Sequence, residues 1–141
     1  MKLGYSTWGM PNVPIDQAVK CIADLGYDGI EIAVLPNYTT SLAKMSKSER
    51  QRIKRLVKRS RLALPAIDAH RDMSVADEEA YKPNWEVMAG AVDLAVEWAL
   101  DKPPVVITLT GGKPDQFDQL KSLFVERLGK LAQYAASRGV T

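Results

Sequence analysis

One histidine and a nearby carboxylate are the residues best suited to chemistry in this sequence. His70 is the only histidine, and it follows an apolar, strand-like run. A neutral imidazole there could bind a divalent metal ion or hydrogen-bond a hydroxyl group of a ligand. The alternative is a structural histidine bonded to a loop carbonyl. Asp68, two residues earlier, would share the histidine's side of a strand and could orient its ring. A single histidine cannot form a metal site without further ligands.

Other candidate side chains also stand where strand-like runs end. Glu31 could hydrogen-bond a substrate or transfer a proton, or it could form a structural salt bridge with a neighbouring Arg or Lys. Trp8 and Tyr38 are suited to stacking on the apolar face of a sugar. Thr110 and the glycines at 111–112 could present a hydroxyl and backbone N–H groups to a polar ligand, or they could simply form a tight strand-to-helix turn.

The elements that must position these residues alternate between two periodicities. Short apolar runs at 2–8, 28–34, 63–69 and 105–109 predict four strands. Between and after them, apolar residues recur at steps of three and four, which predicts amphipathic helices. Ser46 followed by Glu49 predicts a capping box at the start of the second helix. We expect a polar loop over 71–82 and a third helix that opens at Pro83.

The apolar positions assigned to the helices define the predicted core. The first helix carries them at Ile15, Ala18, Val19, Ile22 and Leu25, with Cys21 expected to be buried and inert. The fourth carries them at Phe117, Leu120, Leu123, Phe124, Leu128, Leu131 and Ala135. The run at 105–109 is nearly all apolar, which is typical of a strand buried on both faces of a parallel sheet.

Four successive strand–helix units define the expected fold. We predict an α/β protein in which residues 1–141 form one domain, the first four units of a TIM-type (β/α)8 barrel. A doubly wound sheet is the alternative, but it usually has five strands with helices on both faces, and the first turn lacks a dinucleotide-binding glycine pattern. Four units would leave two open strand edges and an apolar inner face. We expect a second copy, a second chain or residues following Thr141 to cover them.

Composition restricts the function classes. The chain has 141 residues, a formal net charge of +2 and one cysteine, which favours a cytoplasmic protein without disulfides. No run reaches the roughly 20 apolar residues that a membrane span requires, so we expect no membrane association. The basic residues between Arg50 and Arg61 are expected on an outer, solvated helix face, so we do not expect nucleic acid as a partner.

Four motifs, read in chain order, resemble the xylose isomerase-like TIM-barrel superfamily, which includes sugar phosphate isomerases/epimerases and AP endonuclease family 2. The most specific is the second strand, at 25–32 (LGYDGIEI). The others are the first strand at 2–7 (KLGYST), the third strand with its terminal histidine at 62–70 (LALPAIDAH), and the fourth strand with its glycine turn at 105–112 (VVITLTGG).

The resemblance implies a sugar or sugar-phosphate isomerase or epimerase that uses a divalent metal (Mn, Mg, Co or Zn). In such proteins two Glu, one Asp and one His on strands five to eight hold the metal, so the main acid–base residues are expected beyond Thr141. The residues present, Trp8, Glu31, Tyr38, His70 and Thr110, would then bind the sugar or sugar phosphate, and His70 could assist the metal.

Two alternatives remain open at this point. One is a non-catalytic half-barrel that assembles as a homodimer or pairs with a complementary half. The other is an AP endonuclease-like metal nuclease, since His70 matches the first of two histidines in that branch. Residues 108–110 hold threonines where the second histidine would lie, which argues against the nuclease.

Overall fold

The computed structural model describes residues 1–141 and contains four strands that alternate with four α-helices. The strands are β1 (Gly4–Ser6), β2 (Gly29–Ala33), β3 (Ala66–Asp68) and β4 (Val105–Ile107). The helices are α1 (Ile15–Asp24), α2 (Lys47–Arg59), α3 (Glu78–Trp98) and α4 (Phe117–Ala136). The strands form one parallel sheet in the order β1-β2-β3-β4. The predicted order of four strand–helix units is confirmed.

All four helices lie on one face of this sheet. Crossovers between parallel strands are right-handed, so a strand order that never reverses places every helix on the same side. Consistent with this, each helix contacts the next one along the chain. Ile30, Ile32 and Ile67 point into the helix layer and are fully buried. Neighbouring positions such as Glu31 and Asp68 therefore point to the opposite, inner face. This one-sided layering is that of a barrel wall, and not of a doubly wound sheet.

The first two helices form largely as their sequence predicts. Ile15, Ala18, Val19 and Ile22 of α1 are buried. At the start of α2 the Ser46 hydroxyl accepts a hydrogen bond from the Glu49 amide at 3.2 Å. The return bond of the capping box is not made, because the Glu49 carboxylate binds Arg52 instead. Arg52 also binds Asp16 and thereby joins α2 to α1.

The third helix begins five residues before the predicted opening at Pro83. Asp77 caps it by accepting a hydrogen bond from the Ala80 amide at 2.8 Å, and Pro83 lies inside the helix. Proline removes one backbone donor, which leaves the carbonyl of Glu79 without its helical partner. Glu79 is exposed, so water can bond that carbonyl, and the second turn tolerates the proline.

Several residues expected in the core are exposed. Cys21 is exposed because it lies to the side of the buried stripe of α1, and Leu25 is exposed because α1 ends at Asp24. Phe117 and Leu128 are exposed on α4. These residues were assigned to the core from helical spacing alone. Spacing does not show whether another part of the structure packs against an apolar position.

The prediction that the fourth strand is buried on both faces is wrong. Val106 points to the helix layer, where it packs against the core, but Val105 and Ile107 are 41% and 38% exposed. Their side of the strand lies on the inner surface of the sheet, which is uncovered at β4. The amide of Val106 donates to the carbonyl of Thr141 at 2.8 Å on the edge of β4 away from β3.

The core lies between the sheet and the helices, and Trp98 anchors it. This side chain is fully buried, and its indole N–H donates to the carbonyl of Arg50 at 3.0 Å, which ties α3 to α2. Among the helices, none combines the length and the apolar character needed to cross a bilayer.

Candidate functional site

The end of β2 is fixed by two threonines from neighbouring segments. The Thr7 hydroxyl accepts from the amide of Ala33 at 2.9 Å, and the Thr40 hydroxyl donates to the carbonyl of the same residue at 2.6 Å. Both threonines are buried. The segment after β1 and the loop after β2 are thus held against one point of the sheet, and this positions the aromatic residues that each of them carries.

Trp8 and Tyr38, predicted as ligand-stacking residues, are brought together. The Tyr38 hydroxyl donates to the carbonyl of Trp8 at 2.8 Å. The Trp8 side chain is 56% exposed, so its ring is available to a ligand. Burial raises the pKa of Tyr38, and the nearby carboxylate of Asp68 raises it further. The hydroxyl therefore keeps its proton at neutral pH and remains a hydrogen-bond donor.

Asp68 and His70 form a hydrogen-bonded pair at the carboxyl end of β3. The His70 Nδ1 lies 2.6 Å from the Asp68 Oδ1, and the His70 amide donates to the same oxygen at 3.2 Å. Asp68 is only 4% exposed, whereas His70 is partly exposed. A carboxylate at Nδ1 favours the tautomer that carries its proton there, which leaves Nε2 as the free acceptor.

Glu31, predicted at the end of the second strand, lies in the middle of β2 and therefore deeper on the same inner face. Its carboxylate accepts a hydrogen bond from the Ser6 hydroxyl, and Ser6 pairs with it across β1 and β2. Ile32 pairs with Ile67, so Glu31 stands beside the residue before Ile67, four positions short of His70. At about 3.3 Å per residue this places the two backbones about 13 Å apart along the strand direction. The salt bridge considered for Glu31 is not formed, and its carboxylate is bonded to the Ser6 hydroxyl instead.

A cavity of about 300 Å³ opens beside the imidazole. It is lined by His70, Arg71, Asp72, Leu109 and Gly111. The Asp72 carboxylate accepts hydrogen bonds from the amide and hydroxyl of Ser74 within the loop after β3. Gly111 has a φ of +73°, and a Cβ at this position would lie 2.1 Å from the Asp72 Oδ1. Glycine is therefore required where the two loops meet.

The threonines after β4 take different places. Thr110 is exposed, and its carbonyl accepts from the amide of Met73 at 2.9 Å. Its neighbours Leu109 and Gly111 line the cavity, but Thr110 itself does not. The Thr108 hydroxyl contacts the sulfur of Met88 at 3.2 Å, so it points to the helix layer and away from the cavity.

Sequence reasoning missed the residue that holds the histidine-bearing loop. Arg127 of α4 is 2% exposed, and its guanidinium donates to the carbonyls of Met73 and Val75 at 2.6 Å each. It also pairs with Glu78 at 2.9 Å. A signal was present: an arginine occupies an inward position of α4 between the buried Phe124 and Leu131. A buried cation in such a place requires partners from elsewhere in the chain.

The residues of this chain do not form a metal centre by themselves. No three His, Cys, Asp or Glu side chains lie close enough together to hold an ion. Of the Asp68–His70 pair, one ring nitrogen and one carboxylate oxygen are already bonded to each other. A divalent metal at this edge of the sheet would need most of its ligands from outside residues 1–141.

A family model described as a xylose isomerase-like TIM barrel matches residues 19–141. The chain therefore belongs to the xylose isomerase-like TIM-barrel family, and the fold prediction is confirmed. Among curated proteins, none matches the sequence at a significant level.

Solved structures of low sequence identity share the fold. The probable 3-DHS dehydratase AsbF of Bacillus anthracis, involved in petrobactin synthesis, has a TM-score of 0.75 at 19% identity, covering 99% of this chain and 50% of its own. A D-psicose 3-epimerase crystallised in the presence of D-fructose has a TM-score of 0.75 at 15% identity, covering 100% and 50%. A Mycobacterium smegmatis protein of the same barrel type in complex with magnesium has a TM-score of 0.69 at 18% identity, covering 99% and 53%. The chain spans about half the length of these proteins.

Proposed function

We propose that residues 1–141 form a single domain, the N-terminal half of a metal-dependent isomerase or epimerase of sugars or sugar phosphates. The observation that carries this proposal is the Asp68–His70 pair, which presents a free ring nitrogen beside an open cavity at the carboxyl end of β3. Active sites of TIM-type barrels lie at that end of the strands. A solved sugar 3-epimerase with the same fold supports the proposed substrate class.

In this proposal the residues of the chain bind and orient the sugar. His70 accepts a hydrogen bond from a sugar hydroxyl at Nε2, while Asp68 holds the ring by its Nδ1 proton. The exposed ring of Trp8 stacks on the apolar face of the sugar, and Tyr38 fixes the backbone that carries that ring. Glu31, held by Ser6, supplies a carboxylate at the floor of the pocket. Thr110 is exposed between the lining residues Leu109 and Gly111, and it would bond a part of the sugar that extends out of the cavity.

The family resemblance implies metal ligands and main acid–base residues beyond Thr141, and residues 1–141 hold no group of three metal-binding side chains. A magnesium complex of a protein with this fold supports a divalent metal in the complete site. The proposed location of the protein is the cytoplasm.

The first experiment compares turnover by the 141-residue chain with turnover by the natural gene product. The purified 141-residue chain, assayed with Mn²⁺, Mg²⁺ or Co²⁺, is expected to convert no ketose or ketose phosphate, because it lacks the metal ligands. The natural gene product, with any residues that follow Thr141, is expected to exchange a substrate C–H proton with solvent. Turnover by the short chain would contradict the assignment of the metal ligands to residues beyond Thr141. If the natural product exchanged no proton on any ketose tested, the proposed isomerase or epimerase function would be wrong.

Variants of the natural product then test the residue roles. His70→Ala removes one hydrogen bond to substrate and is expected to lower kcat/KM about tenfold, in line with about 1.5 kcal/mol for a hydrogen bond. Asp68→Asn is expected to raise KM by releasing the imidazole, whereas Asp118→Asn on the exposed start of α4 leaves kcat and KM unchanged. Equal effects of the two aspartate substitutions would exclude a role for Asp68 in orienting His70.

A homodimeric half-barrel without catalysis is a second candidate, favoured by the uncovered apolar surface of the fourth unit. Val105, Ile107 and Leu109 are 41%, 38% and 55% exposed on the inner face, and Phe117 and Val125 of α4 are also exposed. Size-exclusion chromatography with light scattering distinguishes the candidates. A stable, well-folded monomer would count against closure by a second copy.

The nuclease alternative gains no support from the site geometry. The chain holds no cluster of metal-binding side chains. In the region 108–110, where a second histidine would be needed, Thr108 faces the helix layer. Cleavage of abasic-site DNA in the presence of zinc would support the nuclease alternative.

A further inference from the structure

Three polar side chains in the wall of the cavity beside the imidazole have open polar atoms. The Nδ1 of His70 is bonded to Asp68, which leaves Nε2 without a partner. The Oδ1 of Asp72 accepts from Ser74, whereas its Oδ2 accepts no hydrogen bond. The terminal amino groups of Arg71 bond to no other residue, since only its Nε is used. The cavity therefore presents two acceptors and one forked donor to a ligand.

These open atoms are accessible to a ligand. His70 and Arg71 are partly exposed, and Asp72 is exposed. None of the buried side-chain atoms that lack a hydrogen-bond partner belongs to these three residues. Exposed polar groups bond to water in a free protein, so a ligand that displaces the water must offer bonds of the same kind. The donors and acceptors of the wall therefore select the chemistry of the ligand.

The guanidinium of Arg71 is held on one edge by a buried asparagine. Its Nε donates to the Asn84 Oδ1 at 3.1 Å, and the Asn84 side-chain amide donates to the carbonyl of Asp72 at 2.8 Å. Asn84 lies in α3 and is 7% exposed, so this support is fixed in the helix layer. The two terminal amino groups of the guanidinium remain free to donate in parallel, which suits two neighbouring oxygen atoms of a ligand.

The charges of the wall do not favour an anion. The positive charge of Arg71 is offset by the negative charge of Asp72, and no other wall residue carries a fixed charge. The carboxylate of Asp68 is bonded to His70 and adds a further negative charge behind the ring. A phosphate dianion offers acceptors only. It would place those acceptors against Asp72 and the free nitrogen of His70, with no proton to share between them.

Neighbouring hydroxyl groups match this wall, because each hydroxyl both donates and accepts. We propose that the cavity binds an uncharged, hydroxyl-bearing end of the sugar, so that the substrate carries no phosphate at this end. Arg71 donates to two hydroxyl oxygens, and Asp72 and His70 accept the hydroxyl protons. Leu109, which is 55% exposed, contacts the C–H groups of the same end. Arg71 and Asp72 are then specificity-determining residues, and this assignment rests on the proposed function for the identity of the ligand as a sugar.

The test compares the binding of D-fructose and of fructose 1,6-bisphosphate to the natural gene product by titration calorimetry. The bisphosphate carries a phosphate at both ends, so a phosphate enters the cavity whichever end of the sugar lies there. We expect its Kd to be at least about tenfold higher than that of fructose, since like charges brought together in a binding site oppose association. An equal or lower Kd for the bisphosphate, or the absence of saturable fructose binding, overturns the proposal.

Two variants with opposite effects on charge locate the selectivity. Asp72→Asn keeps an oxygen for the bonds from Ser74 and is expected to lower the Kd ratio of bisphosphate to fructose at least about fivefold, because it removes a negative charge. Arg71→Met removes both free donors and is expected to weaken fructose binding about tenfold and to raise the ratio. Asp101→Asn removes the same charge at an exposed position outside the cavity and leaves the ratio unchanged. Equal effects of the two aspartate substitutions, or a ratio that falls in Arg71→Met, would also refute the assignment.

Failure of this assignment and failure of the proposed function give different results. Proton exchange on ketoses by the natural gene product tests whether the protein is an isomerase or epimerase. Selective binding of fructose without any exchange would contradict the function and leave the cavity assignment standing. Exchange on the bisphosphate as fast as on fructose would support the function and contradict the cavity assignment.

Discussion

Replacing Arg127 with methionine removes a buried clamp between α4 and the loop that follows His70. The guanidinium donates to the carbonyls of Met73 and Val75, at 2.6 Å in each case, and stacks 3.6 Å above the ring of Tyr81. Methionine fills a similar length of side chain but donates no hydrogen bond. The variant therefore leaves two acceptors of the loop without partners while it preserves much of the packing.

The expected loss of stability in Arg127→Met depends on which former partners of the guanidinium remain buried. Each carbonyl that loses its donor costs about 1–3 kcal/mol if water cannot replace it. The loss of Glu78 as an ion-pair partner adds little, because its side chain is 70% exposed and remains solvated. Removing a buried guanidinium whose Nε is unpaired recovers part of the loss. We expect a net destabilisation of about 2–4 kcal/mol, or roughly 10 °C in Tm for a chain of this size.

Arg138 provides a matched control. It stacks on the ring of Tyr134 at the same 3.6 Å and pairs with Asp93 at 2.8 Å, but its side chain is 36% exposed. Arg138→Met is expected to cost less than about 1 kcal/mol, because exposed pairs are weak. Urea unfolding monitored by tryptophan fluorescence gives both values. Hydrogen exchange of the Met73 amide should accelerate in the Arg127 variant only. Equal destabilisation by the two substitutions would refute the argument that burial and the loop carbonyls set the cost.

Two further predictions concern backbone conformation and pH. Gly111→Ala is expected to cost about 2–3 kcal/mol in urea unfolding, because the new Cβ meets Asp72 and adopts a positive φ, whereas Gly139→Ala costs only the strain of its positive φ, about 1 kcal/mol. Hydrogen bonds from Arg52 lower the pKa values of Asp16 and Glu49 below their ordinary 3.8 and 4.5. The two carboxylates contribute their full stabilisation above their ordinary pKa values, and this stabilisation is lost as pH falls through the lowered pKa values. Because both groups are exposed, it amounts to at most about 1 kcal/mol. Arg52→Gln should flatten this part of the stability profile, and an unchanged profile would exclude the pair as its origin.

Local patterns gave the order of the elements because each helix and strand is decided by neighbouring residues. The buried positions of α1 and the N-cap at Ser46 follow from a period of 3.6 residues and from side-chain chemistry within one turn. The start of α3 did not follow, because Pro83 is equally suited to a first turn and to an early helix position whose freed carbonyl reaches water. Asp77, the true cap, could have been chosen from its residue type alone.

Exposure was harder to predict than secondary structure, because it depends on which layers are present. The apolar run of β4 has the composition of a doubly covered strand, yet Val105 and Ile107 face no other element of this chain. The role of Arg127 was similarly hidden, since its partners Met73 and Val75 lie more than 50 positions away in the sequence. Such contacts are set by tertiary packing, and local sequence patterns do not predict them.

In the candidate site, contacts between residues close in sequence could be predicted, whereas contacts that depend on strand register could not. The pairing of Asp68 with His70 could be predicted, because residues two apart share one side of a strand. The relation of Glu31 to that pair could not, because it depends on how β2 and β3 are aligned. The alignment sets Asp68 opposite Ala33 and therefore keeps the two carboxylates off directly opposite positions, where like charges repel. Each acid instead has its own partner, a hydroxyl for Glu31 and an imidazole for Asp68. A ligand that reaches Nε2 of His70 therefore enters at the mouth of the inner face, and only its inner end can approach Glu31.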